Sequence, residues 1–247
     1  MKKPRVLMAD DHSMILAGLR KLVEGECEVV GTVEDGRALV EAAQKLRPDL
    51  ILLDISMPLL NGLEATRQLT KLVPESKVII LTMHASPTYA TEAFQAGASG
   101  YLLKRSAASE LNQAIQSVLQ GRQYLTPLIT KDVLDSVFKP STGERGTPAS
   151  TALTPRQREV LQLVAEGNTN QQIGKRLNIN TRTVETHRAH VMDKLKLQNQ
   201  AELVQYAAKW GLIPTDNLDP GLAFPAPEPN GHGPDSGDED PPRDEAQ

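Results

Sequence analysis

The chain has little of what secreted and membrane proteins usually contain. Its 247 residues include a single cysteine, Cys27, so no internal disulfide can form, and this fits a reducing compartment. No apolar run approaches the roughly 18 residues that a membrane-spanning helix needs. Residues 1–4 lead directly into a strand pattern, without the apolar core of a signal peptide. We therefore predict a cytoplasmic protein that does not enter a membrane.

Neither sign of charge dominates the whole chain, whose net charge is -4, but the charges are unevenly distributed. Residues 151–214 carry nine basic and five acidic side chains, a net charge of +4, whereas residues 215–247 carry one and nine, a net charge of -8. The first of these segments is basic enough to suggest a nucleic-acid partner. The second is rich in Pro, Gly, Asp and Glu, which predicts a disordered acidic tail.

Four apolar runs in the first half of the chain each end in a polar side chain. The run at residues 50–53 ends at Asp54 and is typical of a strand buried on both faces of a parallel sheet. An aspartate in this position is most often only a turn former. If the four strands are parallel neighbours, however, three carboxylates, one hydroxyl and one ammonium meet at one edge of the sheet. These side chains are Asp10, Asp11, Asp54, Thr82 and Lys104.

Strand and helix patterns alternate through residues 4–121. Five such repeats in about 120 residues predict an α/β domain with a doubly wound, five-stranded parallel sheet and right-handed crossovers. The strand order 2-1-3-4-5 would place strands one, three and four side by side. Residues 122–150 contain three prolines and many small polar residues, which predicts a linker with at most a short helix at residues 129–138.

Residues 151–214 have the pattern of a small all-α domain. Thr154 followed by Pro155, and Thr169 followed three residues later by Gln172, are helix-start signals. Four helices in about 60 residues, two of them joined by a tight turn, predict a helix-turn-helix domain. The third helix, at residues 181–195, has an apolar side centred on Val184 and an opposite face of small and polar residues, which suits a DNA major groove.

The strand-end residues are similar to those of a known family. In order and spacing they resemble the receiver domain of bacterial two-component response regulators, across residues 4–121. Arg105 departs from the pattern, because many receivers have proline after the lysine. The matching residues are Asp10, Asp11, Asp54, Pro58, Gly62, Thr82, Tyr101 and Lys104.

The resemblance implies that Asp54 accepts a phosphoryl group. Clustered carboxylates repel one another unless a cation is bound, and Mg²⁺ prefers carboxylate, carbonyl and water oxygens. We expect Asp11, Asp54 and the backbone carbonyl of Ser56 to bind Mg²⁺ directly. Asp10 would act largely through water. Lys104 and the metal would neutralise the phosphoryl charge while Asp54 attacks phosphorus in line.

Two further residues would form the switch of such a domain. Thr82 would hydrogen-bond a phosphoryl oxygen, and the resulting loop movement would let Tyr101 turn inward. Ordinary packing is the alternative interpretation of Tyr101. Ser56 and His84 would flank the phosphoryl group and adjust the access of water, without being essential.

Residues 153–201 resemble the LuxR/NarL-type DNA-binding domain. The departures are Gly174, where alanine is usual, and Asn199, where arginine is frequent. The resemblance implies base contacts from the outer face of the third helix and phosphate contacts around it, although Arg188 could instead extend over the core. The matching positions are Thr183, Val184, His187, Lys194 and Leu195, and the predicted DNA-binding residues are Arg182, Thr183, Glu185, Thr186, Arg188, Ala189, His190 and Lys194.

Taken together, these features predict a NarL/FixJ-type response regulator and not a turnover enzyme. A sensor histidine kinase would phosphorylate Asp54, and the phosphorylated homodimer would bind double-stranded promoter DNA. In the inactive state we expect the receiver domain to pack against the recognition helix. Two alternatives are a phosphatase with an aspartate nucleophile and a binding protein that works without phosphorylation. A further hypothesis is that the acidic tail competes with DNA for the basic domain.

Overall fold

The computed structural model describes residues 2–138 and 153–213. The acidic tail and the end of the predicted linker, residues 139–150, therefore lie outside the described residues. Six strands form one parallel sheet in the first range. They are β1 (Arg5–Ala9), β2 (Glu28–Val33), β3 (Leu50–Asp54), β4 (Lys77–Thr82), β5 (Gly100–Leu103) and β6 (Tyr124–Leu125). The helices of this range are α1 (Ser13–Val23), α2 (Gly36–Leu46), α3 (Gly62–Leu72), α4 (Pro87–Gln95), α5 (Ala107–Leu119) and α6 (Pro127–Phe138).

The sheet has the order β2-β1-β3-β4-β5-β6, which confirms the predicted order of the first five strands. Every residue of β3 is buried, because helices cover both faces of the sheet. Leu19 of α1 and Leu111 of α5 pack on one face, whereas Leu39 of α2 and Leu69 of α3 pack on the other. The carboxyl ends of β1, β3, β4 and β5 consequently lie along one edge.

The sixth strand corrects the predicted five-stranded sheet. Leu125 of β6 pairs with Tyr101, and the amide of Thr126 donates to the carbonyl of Tyr101 at 3.0 Å. The α6 helix then packs on the core through Ile129, which is only 2% exposed. These elements lie in the segment predicted as a linker. A strand of two residues has no measurable side-chain alternation, so periodicity does not indicate it.

Four helices form the second range: α7 (Pro155–Ala165), α8 (Asn170–Leu177), α9 (Thr181–Leu195) and α10 (Gln200–Lys209). Both predicted capping boxes are present, with the Thr154 and Thr169 hydroxyls accepting from the amides of Gln157 and Gln172. Each box satisfies amides that the first helical turn leaves without partners. A buried apolar core joins the four helices, and α8 and α9 form the predicted helix-turn-helix.

The turn between α8 and α9 explains the unusual glycine. A Cβ atom placed on Gly174 would lie 2.8 Å from the carbonyl oxygen of Ile179, closer than normal contacts allow. Asn178 adopts the left-handed conformation with φ 53°, which asparagine tolerates better than most residues. The backbone therefore approaches α8 too closely for the alanine that is usual at this position.

No helix within the described ranges is both long enough and apolar enough to cross a membrane.

Candidate functional site

Asp54 is the last residue of β3 and lies at the carboxyl edge of the sheet. Its side chain is almost completely buried, and one carboxylate oxygen accepts a hydrogen bond from the amide of Ile55 at 2.7 Å. Burial raises the pKa of Asp54, and the positive charge of Lys104 opposes this rise only in part. The position therefore combines a buried carboxylate with a nearby cation.

Lys104 connects two of the strand ends. Its ammonium nitrogen lies 2.8 Å from Asp10 Oδ2 and 2.9 Å from Asp54 Oδ2. Burial lowers the pKa of Lys104, but the carboxylates of Asp54 and Asp10 outweigh it, so the pKa of Lys104 is raised. The structure thus brings the ends of β1, β3 and β5 together around one charged group.

Asp11 lies beside Asp10 and is held by a residue that the sequence did not single out. His12 Nδ1 is 2.8 Å from Asp11 Oδ1 and 3.2 Å from Asp10 Oδ1. Burial lowers the pKa of His12, but Asp11 and Asp10 outweigh it, so the pKa of His12 is raised. The adjacency of His12 to two carboxylates was the signal in the sequence that could have indicated this contact.

The acidic end of β1 has the composition of a cation site. Ligand atoms of Asp10, Asp11 and His12 lie within 4.8 Å of one another, and Lys104 links Asp10 to Asp54. Carboxylate oxygens are the ligands that hard divalent cations prefer. The donor set therefore fits a divalent cation such as Mg²⁺ beside Asp54.

Thr82 and Tyr101 lie on the adjacent strands and are both fully buried. The Thr82 hydroxyl accepts a hydrogen bond from the amide of His84 at 3.1 Å, and the Tyr101 hydroxyl donates to the His84 carbonyl at 2.7 Å. Burial, reinforced by the charge of Asp54, raises the pKa of Tyr101 well above its usual range. Tyr101 is therefore a protonated, inward-facing donor that fixes the β4–α4 loop.

Ser56 and His84 contact each other at the rim of the site. The Ser56 hydroxyl lies 3.3 Å from His84 Nε2, and the His84 ring stacks on Tyr89 with ring centroids 4.7 Å apart. Burial lowers the pKa of His84, which favours the neutral ring at neutral pH. Both residues thus lie beside Asp54 without a direct described contact to its carboxylate.

The second candidate site is the outer face of α9. Six of the eight predicted DNA-binding residues are exposed on this helix, and five of the six have no described side-chain hydrogen bond or ion pair to another helix. They are Arg182, Glu185, Thr186, Ala189 and His190. The exposed face carries both charge and hydrogen-bonding groups, as a surface that contacts DNA requires.

The other three predicted DNA-binding residues form hydrogen bonds within the helical domain. Arg188 donates to Asn170 Oδ1 at 2.7 Å, and Lys194 lies 3.2 Å from Gln157 Oε1. The Thr183 hydroxyl donates a hydrogen bond to Oδ1 of Asn180, the N-cap residue of α9. Arg188 and Lys194 therefore hold α9 against α8 and α7, whereas Thr183 stabilises the start of α9 itself. A role within the domain is the alternative that the sequence left open for Arg188.

The two domains contact each other through α7 and through the residues that follow α10, and not through the recognition helix. Gln162 and Glu166 of α7 bind the loop that follows Asp54, whereas the outer face of α9 stays exposed. The expected packing of the receiver against the recognition helix is therefore wrong for this structure. The polar face of α7 carries the hydrogen-bonding groups that the loop backbone requires, whereas the outer face of α9 makes no described contact with the α/β domain.

Comparison with known proteins identifies the family of both domains. The family "Response regulator receiver domain" matches residues 6–116, and the family "Bacterial regulatory proteins, luxR family" matches residues 151–207. The transcriptional regulatory protein DegU of Brevibacillus brevis is 34% identical over 226 residues, covering 85% of this chain and 95% of DegU. The transcriptional regulatory protein LiaR of Bacillus subtilis is 36% identical over 211 residues, covering 85% of this chain and 99% of LiaR.

A solved structure agrees with these relatives. RcsB from Salmonella enterica serovar Typhimurium, bound to the promoter rprA in the presence of the phosphomimetic BeF3-, is similar with a TM-score of 0.58 and 28% identity. The match covers 84% of this chain and 99% of RcsB. The chain therefore belongs to the response regulators that combine a receiver domain with a LuxR-type DNA-binding domain. The predicted family and fold class are confirmed, and the protein is a transcription regulator of this NarL/FixJ type and not a classical enzyme.

Proposed function

We propose that this response regulator is controlled by phosphorylation of Asp54. A sensor histidine kinase donates the phosphoryl group, and the phosphorylated chain forms a homodimer that binds promoter DNA. The observation that carries the proposal is the position of Lys104, whose ammonium contacts both Asp10 and Asp54 at the carboxyl edge of the sheet. An ammonium held by two buried carboxylates is suited to neutralise a third anion that arrives between them.

Phosphoryl transfer uses Asp54 as the nucleophile. One carboxylate oxygen attacks phosphorus in line, the bond between phosphorus and the donor breaks, and the donor leaves with the electron pair of that bond. Lys104 then pairs with the new phosphoryl oxygens. Asp10, Asp11, Asp54 and the backbone carbonyl of Ser56 would hold Mg²⁺, which supplies further positive charge to the phosphoryl oxygens. Water would later remove the phosphoryl group slowly, with Ser56 and His84 limiting its access.

Thr82 and Tyr101 transmit the phosphorylation of Asp54 to the surface of the receiver domain. The Thr82 hydroxyl donates a hydrogen bond to a phosphoryl oxygen, which draws the β4–α4 loop towards Asp54. Tyr101 already donates to the carbonyl of His84 in that loop, so the movement of the loop also changes the surroundings of Tyr101. The new dianion is thereby coupled to the surface of the receiver domain.

DNA binding uses the exposed face of α9. Arg182 at its beginning contacts phosphate, while Glu185, Thr186, Ala189 and His190 face the base edges. Thr183 and Lys194 contribute to phosphate binding from positions that also make hydrogen bonds within the domain, whereas Arg188, which donates to Asn170, mainly holds the helix in place. Two copies of the domain in a dimer would bind two half-sites of the operator.

Incubation with phosphoramidate and Mg²⁺, followed by intact mass measurement, tests the proposal. The wild-type chain should gain the mass of one phosphoryl group, and Asp54→Asn should not. Asp132→Asn, the same change at an exposed aspartate of α6, is the matched control and should react like the wild type. If Asp54→Asn gains the group at the wild-type rate, or if the wild type never gains it, the proposal is wrong.

A further inference from the structure

One flank of α9 carries two histidines between a threonine and a lysine. These residues follow one another at intervals of four, three and four positions, so they lie along one stripe of the helix, at the edge of its outer face. They are Thr183, His187, His190 and Lys194, and we call this stripe the histidine flank. His190 and Lys194 are exposed, whereas Thr183 and His187 are half-buried. The two imidazole rings therefore border the face that is proposed to enter the major groove.

The beginning of α7 lies beside the histidine flank. Lys194 Nζ is 3.2 Å from Gln157 Oε1, and the positive charge of Arg156 acts on the His187 ring. Glu159 does not oppose these cations, because it is buried and lies 2.8 Å from the Arg156 guanidinium. The flank and the beginning of α7 together form a basic surface.

The charged groups around His190 come mainly from α9 itself. Asp193 follows His190 by three positions and Lys194 follows it by four, so one charge of each sign lies one turn away. The described contact from α8 is uncharged, because Arg188 binds the amide oxygen of Asn170. Within residues 2–138 and 153–213, no hydrogen bond or ion pair holds the His190 side chain. Its ring is therefore open to a ligand.

The surroundings of His187 keep its ring neutral. Its Nδ1 atom is enclosed and has no hydrogen-bond partner among the residues that the structure describes. A proton on Nδ1 would bury an unsatisfied N–H group, which is costly. Burial lowers the pKa of His187, and the charges of Arg156 and His190 lower it further. The single ring proton consequently lies on Nε2, from which His187 can donate a hydrogen bond.

His190 has no such restriction. Its ring is exposed at the edge of the outer face, where a helix in the major groove reaches the phosphates of the groove wall as well as the base edges. Imidazole changes its charge between about pH 5 and pH 8, and a neighbouring phosphate favours the charged form. An imidazolium that donates to a phosphate oxygen forms a charge-assisted hydrogen bond, which is roughly twice as strong as a neutral one.

We infer that α9 binds DNA with its two histidines in different protonation states. His187 donates from Nε2 to a phosphate as a neutral imidazole, whereas His190 takes up a proton from solvent and contacts a phosphate as an imidazolium. Each DNA-binding domain therefore binds one proton together with DNA, and by linkage the affinity for DNA rises as the pH falls. The inference rests on the proposed use of α9 in DNA binding. It adds His187 to the DNA-binding residues and makes the affinity depend on pH through one side chain.

The experiment measures the affinity of the full, unphosphorylated chain for two duplexes of unrelated sequence. Titrations at about pH 6 and at about pH 8, each at several salt concentrations, cover the range over which imidazole changes its charge. Calorimetry in two buffers of different ionisation enthalpy counts the protons that are taken up on binding. Omission of a phosphodonor and of Mg²⁺ keeps the state of Asp54 constant.

Three variants separate the two roles. His190→Gln removes the titratable ring and keeps a hydrogen-bonding side chain. His187→Leu removes the Nε2 donor with little change in volume, and His187→Gln restores a donor at a similar position. His232→Gln, in the sequence of the acidic tail, is the matched control.

We expect the wild type to bind about fivefold more tightly at pH 6 than at pH 8, the ratio between a charge-assisted and a neutral hydrogen bond. The slope of log affinity against log salt should be steeper by about 1 at the lower pH, because the imidazolium releases one more counterion. His190→Gln should lose both differences and the proton uptake. His232→Gln should match the wild type.

The two His187 variants should change the affinity without changing its dependence on pH. His187→Leu should bind about fivefold more weakly than the wild type at both pH values, which is the effect of one net hydrogen bond. His187→Gln should retain most of the affinity. Thermal unfolding of each variant shows whether its domain is folded, and the His187→Gln result tests the assignment even if His187→Leu does not fold.

The failures of the two proposals are distinguishable. A wild-type chain that binds neither duplex at any pH contradicts the proposed use of α9. A wild-type chain that binds DNA with one affinity and one salt slope at both pH values overturns the inference about His190, as does a pH difference that persists in His190→Gln. Proton uptake on only one of the two duplexes would assign a base contact and overturn the phosphate contact. Full affinity in folded His187→Leu, or a large loss in folded His187→Gln, would overturn the role of His187.

Discussion

Replacement of Lys104 by methionine should destabilise the receiver domain by about 3 kcal/mol in the absence of divalent cations. The side chain keeps its length but loses the charge that lies 2.8 Å from Asp10 and 2.9 Å from Asp54. The Lys104 side chain is 9% exposed, and its partners are 1% and 6% exposed. The pair therefore belongs to the buried class, in which loss of one partner costs about 3–5 kcal/mol, and not to the surface class of about 0–1 kcal/mol.

The lower end of that range applies because Asp54 can respond. Burial already raises the pKa of Asp54. Without Lys104, the Asp54 carboxylate can therefore take up a proton, which avoids the cost of an unpaired buried anion. A carboxyl group with a raised pKa in the folded state favours folding below its unfolded pKa and loses that contribution as the pH rises through the folded pKa. The deficit of Lys104→Met should therefore be smallest in acid and should grow towards neutral pH.

Urea unfolding followed by circular dichroism, at several pH values and with and without Mg²⁺, measures these effects. Saturating Mg²⁺ should restore part of the stability, since a dication beside the carboxylates replaces the lost charge. Lys45→Met on the exposed side of α2 is the control and should change stability by less than about 0.5 kcal/mol. If Lys104→Met loses no more free energy of unfolding at neutral pH than the control variant does, the reasoning is refuted.

Two predictions concern the DNA-binding domain. Arg182→Ala should weaken DNA binding about equally for all sequences and lower the slope of log affinity against log salt by about 1. Arg188→Met should mainly lower the melting temperature, because Arg188 binds Asn170 within the domain. Binding titrations at several salt concentrations and thermal unfolding distinguish the two effects, and equal salt slopes for both variants would contradict the assignment. Deletion of residues 215–247, which carry a net charge of -8, should raise non-specific DNA affinity at low salt and have little effect at high salt, because salt screens the charges. Unchanged affinity at every salt concentration would contradict the hypothesis that the tail competes with DNA.

Much of the acceptor site could be predicted before any coordinates, for a physical reason. Parallel strands present their carboxyl ends at the same edge of a sheet, so an apolar run that ends in a polar residue reports both the strand and the position of its side chain. Asp10, Asp54 and Lys104 come from three separate strands and yet meet within hydrogen-bonding distance. The capping boxes at Thr154 and Thr169 were equally readable, because their hydrogen bonds involve residues only three positions apart.

Local pattern was insufficient where an element was short or a side chain had two possible partners. The β6 strand has two residues and exists because it pairs with β5, a contact that no periodicity indicates. Arg188 and Lys194 have the charge of DNA-binding residues, but their hydrogen bonds to Asn170 and Gln157 depend on how the helices pack.

The sequence by itself indicated the two domains and the group of side chains around Asp54, because these follow from local periodicity and from the geometry of parallel sheets. The order of the first five strands followed from the doubly wound arrangement that the alternating strands and helices predicted. Only the tertiary structure decided that α7 and not α9 contacts the receiver domain. Gln162 is an ordinary polar residue in the sequence, and its complete burial depends on Met57 and Asn61, which lie about one hundred positions earlier. Contacts between residues so far apart depend on the mutual fit of two folded surfaces, and no local sequence pattern encodes that fit.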